Sequence, residues 1–298
     1  MITIDSLTKK YGRNTVVDDI SFVARSGRVT GFLGPNGAGK STSMRMMVGL
    51  TSPTSGTATI LRRRFADLPN PGAEVGVMLD ASAQHAGRTG REIVTLAQRL
   101  MGLPASRIDE SIEKVGLTEP EANQRVGNYS LGMRQRLGIA TALIGEPAVL
   151  ILDEPANGLD PAGIRWMRDL LRGYADQGGT VLLSSHLLHE VEVIADDIVM
   201  IGKGRIVAQG SKSDLLGGAG TIVRAADLFQ LQRALDQHGV PATVTDDGAL
   251  RADADATEVG RAAFRAGVPL TELRQADGGL EDMFLQLTAD TQRERKAA

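Results

Sequence analysis

The chain has 298 residues, 33 Lys plus Arg against 36 Asp plus Glu, and a formal net charge of −3. That length suggests one large domain or two ordinary ones, and 42% hydrophobic with 23% charged residues is the balance of a globular protein. The lack of cysteine excludes disulfides, thiolate zinc sites, iron–sulfur clusters and Cys nucleophiles, and the slight negative charge argues against a protein built to neutralise a nucleic-acid backbone.

Short alternating or β-branched runs at 2–5, 15–23 and 28–33 predict strands. A helical stretch at 40–50, a turn at Pro53-Thr54-Ser55-Gly56 and strands at 57–61 and 75–79 follow. Thr89-x-x-Glu92 is a capping-box pattern, and Ser106-x-x-Asp109 and Thr118-x-x-Glu121 suggest two more helix starts. Ser130 suits the N-cap of a helix over 131–144. Continuous apolar runs at 149–152 and 180–184 predict strands covered on both faces. The run 199–207, centred on Gly202-Lys203-Gly204, reads as a hairpin.

From 221 onward the pattern is β-α-β-β-α-β: strands at 221–225, 242–245, 249–252 and 270–274, helices at 228–238 and 257–266. That order is ferredoxin-like, and a closing helix is expected at 280–287. Residues 1–218 carry a net charge of +1 and 219–290 a net charge of −6. This shift and the glycine cluster at 217–220 put a boundary there. The expected organisation is 1–218, with a helical part at about 85–147, then 219–290, then a tail at 291–298. A membrane-spanning helix needs about 20 mostly apolar residues, and the best run, 137–152, is broken by Glu146 and Pro147. The first residues lack a basic-then-apolar leader. The chain is expected to stay in the cytoplasm, with any membrane role lent by a partner.

Gly34-Pro35-Asn36-Gly37-Ala38-Gly39-Lys40-Ser41-Thr42 fits G-x-x-x-x-G-K-[ST] between a strand and a helix, as a phosphate loop requires. Its glycines let several backbone N–H groups converge on phosphate oxygens, and the helix N-terminus adds partial positive charge. Lys40 would meet the β- and γ-phosphates, and the Ser41 hydroxyl would ligate Mg²⁺. Val149–Leu152 leads into Asp153 and Glu154, at the strand end where parallel sheets bind ligands. Asp153 would hold Mg²⁺ beside Ser41, and Glu154 would orient and deprotonate an attacking water.

At these residues the sequence resembles the ATP-binding cassette (ABC) family, over about Ile2 to Gly210. Tyr129-Ser130-Leu131-Gly132-Met133-Arg134-Gln135-Arg136 resembles the signature loop, Asn157-Gly158-Leu159-Asp160 the D-loop, and Ser184-Ser185-His186 the strand end bearing the switch histidine. Tyr11 looks like the aromatic that stacks on adenine. The resemblance implies an α/β fold: a P-loop cassette with a mixed-sheet core, an antiparallel β subdomain and a helical subdomain, here followed by a small α+β ferredoxin-like domain. It implies ATP and Mg²⁺ as cofactors and a head-to-tail pair of cassettes, identical or not. In that pair Ser130 and the Gly132 N–H meet the partner's γ-phosphate, Asp160 crosses the contact, and His186 touches the γ-phosphate.

Two departures stand out. Leu131 and Met133 replace a glycine and a glutamine of the usual signature. Asp80 stands where the family places a metal-sensing Gln, which makes it a candidate ligand with Gln84 as the alternative. The implied function is the ATPase of an export-type transporter driving a separate membrane permease from the inner face of the membrane. The alternative is a soluble cassette acting in translation or DNA repair. Against it stand the single phosphate loop and the lack of sustained heptads within 85–147. His85, His189, Arg134, Arg136, Trp166 and Arg62–Arg64 read as loop, surface or packing residues.

Overall fold

The computed structural model describes residues 1–186, 188–216, 220–245, 247–275 and 280. The chain divides between Gly210 and Ser211 into two units.

The first unit opens with β1 (Ile2–Tyr11) and β2 (Asn14–Ala24), then β3 (Arg28–Leu33), α1 (Lys40–Met47) and β4 (Ser55–Ile60). β1 is longer than its alternating start suggested, because it pairs antiparallel with β2 on one side and β4 on the other. Next come α2 (Pro71–Glu74), β5 (Val75–Met78), α3 (Gly90–Met101), α4 (Ser106–Lys114), α5 (Glu119–Asn123) and α6 (Leu131–Leu143). Then follow β6 (Val149–Leu152), α7 (Pro161–Asp176), β7 (Thr180–Ser185), α8 (Leu188–Ile194), β8 (Asp197–Gly202) and β9 (Arg205–Ser211).

A six-stranded sheet has the order β5-β6-β7-β3-β8-β9. The pairs among β5, β6, β7, β3 and β8 are parallel. β3, β6 and β7 are thus neighbours although far apart in sequence. Leu33 pairs with Ser185 and Leu152 with Leu183, so the residues after all three strands emerge along one edge. Helix α1 is held between the sheets by Met44, Met46 and Met47, in a core that also takes Ile2, Leu7, Ile20, Phe32, Ile60 and Ile151. Lys203 and Gly204 both have positive φ in the β8–β9 turn, the backbone that two-residue hairpins favour.

In the helical part, Thr89 and Thr118 form full capping boxes with Glu92 and Glu121. Ser106 does not cap α4: the preceding Ala105 already has helical φ and ψ, so Ser106 lies inside the first turn. Arg136 donates from Nη1 to the Val115 carbonyl at 2.6 Å and lies 4.2 Å from the Trp166 ring centroid. That stack ties α6 to α7. His189 is exposed on α8, and His85 accepts from the Gly87 N–H within its own loop.

The second unit carries α9 (Lys212–Leu216), β10 (Thr221–Ala225), α10 (Leu228–Gln237), β11 (Ala242–Val244), β12 (Leu250–Ala252), α11 (Ala256–Arg265) and β13 (Leu270–Gln275). Its sheet is antiparallel with the order β11-β12-β10-β13. The two central strands come from different halves of the repeat, which is the ferredoxin-like arrangement. Val223 and Leu250 pack against Leu231, Leu235 and Val259 of the two helices. Residues 217–219 of the glycine-rich boundary, the expected helix 280–287 beyond buried Leu280, and the tail 291–298 lie outside the described residues.

Candidate functional site

The phosphate loop leaves the buried end of β3. A Cβ at Gly34 would lie 2.4 Å from the Ile201 carbonyl, and one at Gly39 would lie 2.8 Å from the Val16 carbonyl. Gly39 also has φ +110°, open only to glycine at low cost. The loop is therefore wedged between β2 and β8, and the Gly204 N–H clamps it from the hairpin by donating to the Ala38 carbonyl at 3.0 Å. No side chain caps α1, whereas α3, α5, α6 and α7 are capped by Thr89, Thr118, Ser130 and Asp160. Among the described residues the first N–H groups of α1 have no side-chain partner, as an anion site needs.

Lys40 is 6% exposed and donates from Nζ to the Gly34 carbonyl at 2.6 Å. Burial pushes its ammonium below the ordinary lysine range, and the Glu154 and Asp153 carboxylates act against that shift. Its Nζ lies 3.9 Å from Glu154 Oε1. A desolvated cation beside uncapped helix N–H groups is prepared for a polyanion.

Both acids sit just past β6. Buried Asp153 accepts from the Ser184 hydroxyl. The same hydroxyl oxygen accepts from the Glu154 N–H at 3.0 Å. Glu154 has φ +52°, a left-handed conformation that costs a non-glycine residue about 1–2 kcal/mol. Its carbonyl takes Gln135 Nε2 at 3.4 Å. Its Oε2 accepts from the His186 N–H at 3.2 Å and lies 2.6 Å from His186 Nδ1. Lys40, Glu154 and His186, from three different strand ends, thus form one cluster.

Among the described residues Asp153 Oδ2 takes no hydrogen bond, and Ser41 is exposed at the start of α1. A hydroxyl and a carboxylate oxygen are hard donors of the kind Mg²⁺ selects.

The family profile described as ABC transporter matches residues 17–157, and a domain family of unknown function, DUF8746, matches 219–281. The bacitracin transport ATP-binding protein BcrA of Enterococcus faecalis is 35% identical over 297 residues, covering 96% of each chain. The uncharacterized ABC transporter ATP-binding protein YhcH of Bacillus subtilis is 35% identical over 309 residues, covering 99% of this chain and 98% of that one.

The chain belongs to the family of ABC transporter ATP-binding proteins.

It binds ATP and is an ATPase. The fold agrees: a dimeric ATP-binding cassette in a post-hydrolysis state with ADP and Pi superposes with a TM-score of 0.65 at 22% identity, over 71% of this chain and 99% of that one.

The remaining motif residues of the cassette are placed as follows. Exposed Ser130 caps α6, accepting from the Met133 N–H at 3.2 Å. Gly132 approaches the loop before α7: a Cβ there would lie 3.4 Å from the Gly158 carbonyl. Gly158 has φ +76°, and a Cβ on it would collide with Leu131. The Leu131 departure therefore joins the signature segment directly to the D-loop segment. Asp160 caps α7 by accepting from the Gly163 N–H at 2.8 Å. Tyr11, at the end of β1, is 53% exposed with Lys9 Nζ 4.8 Å from its ring centroid.

Asp80 accepts from both the hydroxyl and the N–H of Ser82, at 2.6 and 2.8 Å, and these bonds hold its carboxyl below the usual range. It is thereby the cap of a short turn. Gln84 donates to the Arg134 carbonyl at 3.1 Å. Ser184 and Gln135 lie inside recognised segments, yet their contacts with the two acids have no signature of their own. A serine near the end of a buried apolar strand is the one sequence signal at Ser184, and the pairing of that strand with β6 is decided by the sheet.

Proposed function

We propose that the chain is the motor subunit of an exporter for an antibiotic, drug or lipid-like compound, working as a pair of cassettes beneath a separate membrane permease. The observation that carries this is the match to the bacitracin transport protein, which runs through both units and covers 96% of each chain. No helix among the described residues is long and apolar enough to cross a membrane. The chain would therefore sit at the inner face of the membrane through its permease.

In this reading the residues act by position and charge. Residues 34–42 and Lys40 hold the phosphates, and Tyr11 offers its exposed ring to adenine. Ser41 and Asp153 would hold Mg²⁺, which would supply charge neutralisation for the phosphates. Glu154 orients the attacking water and takes its proton. His186 fixes the Glu154 carboxylate and reaches toward the γ-phosphate. Ser130 and the Gly132 N–H serve the nucleotide of the opposite cassette, with Asp160 at the contact between the two. Asp80 is the candidate third metal ligand of this reading, and its Ser82 bonds must open for it to act. The 219–290 module is an accessory domain of this motor.

The test is affinity purification of the tagged chain from detergent-solubilised membranes, with ATPase assay of the product. Recovery of a multi-span membrane protein whose presence stimulates turnover is expected. Recovery with ribosomes or DNA instead refutes the transport reading.

A further inference from the structure

The Glu154 residue is restrained on every side. Its N–H is held by Ser184, its C=O by Gln135, and its carboxylate by His186, while its φ of +52° needs such restraint. Ser184 differs from the others in touching both acids. It is fully buried at the end of β7. A hydroxyl has one proton and two lone pairs. Here the proton goes to Asp153 Oδ1 and one lone pair takes the Glu154 N–H. This fixes a polarity. As long as Asp153 is an acceptor, Ser184 must donate to it, and its oxygen is then left facing the next peptide. The same bond occupies one Asp153 oxygen and leaves the other for a metal.

We propose that Ser184 is a positioning residue of the ATPase reaction, setting through one hydroxyl both the oxygen Asp153 presents to Mg²⁺ and the backbone conformation that aims Glu154. Its role is exercised through the two acids it bonds. The inference rests on the ATPase reading of Lys40, Asp153 and Glu154 given above.

The test compares Ser184→Ala and Ser184→Thr in the full chain. Removing the hydroxyl leaves a buried carboxylate oxygen and a buried N–H unpaired, so kcat is expected to fall about 10- to 100-fold. KM for ATP should stay within about threefold, since the phosphate loop is untouched. The Mg²⁺ concentration for half-maximal ATP binding, read by calorimetry without turnover, should rise, while ATP binding in EDTA stays unchanged. Thr keeps the hydroxyl and should restore most of both. Placed on Glu154→Gln, the Ala change should lower residual turnover far less than it does alone, because the two act as one unit.

A kcat within threefold of wild type overturns the inference. So does an equal loss of ATP binding in EDTA, which signals a general distortion, and so does full multiplication of the two effects in the double variant. If the wild-type chain has no turnover that Glu154→Gln abolishes, the ATPase assignment of the acids fails instead, and the calorimetric Mg²⁺ shift still tests Ser184 by itself.

Discussion

Replacing Glu154 by Gln separates catalysis from binding in this site. The change keeps the shape of the side chain and its backbone bonds to Ser184 and Gln135, and removes only the basic oxygen and its charge. A general base contributes about 10²–10⁴-fold to such a reaction, so kcat should fall by that factor. Binding should move the other way. Lys40 Nζ and Glu154 Oε1 are 3.9 Å apart, and opposite charges at that distance attract by about 4 kcal/mol at an effective dielectric of about 20. Glu154 is 25% exposed, and solvent screening leaves about 1 kcal/mol of this. Without the carboxylate, that share of the Lys40 field is available to phosphate, which tightens ATP about fivefold. Steady-state phosphate release and calorimetric ATP titration measure the two effects, and gel filtration with ATP follows dimer accumulation. Turnover within tenfold of wild type, or ATP binding weakened rather than tightened, would refute the placement of Glu154 as the base beside Lys40.

Tyr11→Ala should weaken ATP by about 1–2 kcal/mol through lost stacking and leave the melting temperature unchanged, because the ring is mostly exposed; an unchanged dissociation constant assigns Tyr11 to structure. Thr89→Ala should cost about 1 kcal/mol in urea unfolding through the lost capping box, whereas Ser106→Ala, which caps nothing, should cost only a few tenths; equal costs contradict the assigned caps. Asp196 loses solvation on burial, but bonds from Arg172 and the Val29 N–H outweigh this and hold its carboxyl below its ordinary value of 3.8. Its stabilising effect is therefore present above that value and disappears as pH falls through the lower folded one. Asp196→Asn should cost about 1–2 kcal/mol at pH 7 and progressively less below pH 4, and a cost that grows on acidification contradicts the assignment.

Much of this protein is written locally. The phosphate loop is legible because a strand, a glycine-bearing turn and a Lys-Ser helix start must be adjacent in sequence to curl one stretch of backbone around phosphate. The capping boxes at Thr89 and Thr118, the Ser130 cap and the β-α-β-β-α-β order were readable for the same reason: each is set by spacing within one segment. Ser106 does begin a helix, as its spacing suggests, but does not cap it: the same letters describe a cap and a first-turn residue, and the φ and ψ of Ala105 decide between them.

The tertiary structure decided what no single segment contains. The order β6-β7-β3 brings three strand ends together across more than a hundred residues, so that Lys40, Glu154 and His186 meet. It alone gives the Ser184 hydroxyl its two acidic neighbours, spends Asp80 on a turn, and sets Leu131 against Gly158. Hydrogen bonds and close contacts act over a few ångströms in space, whereas a sequence records distance only along the chain.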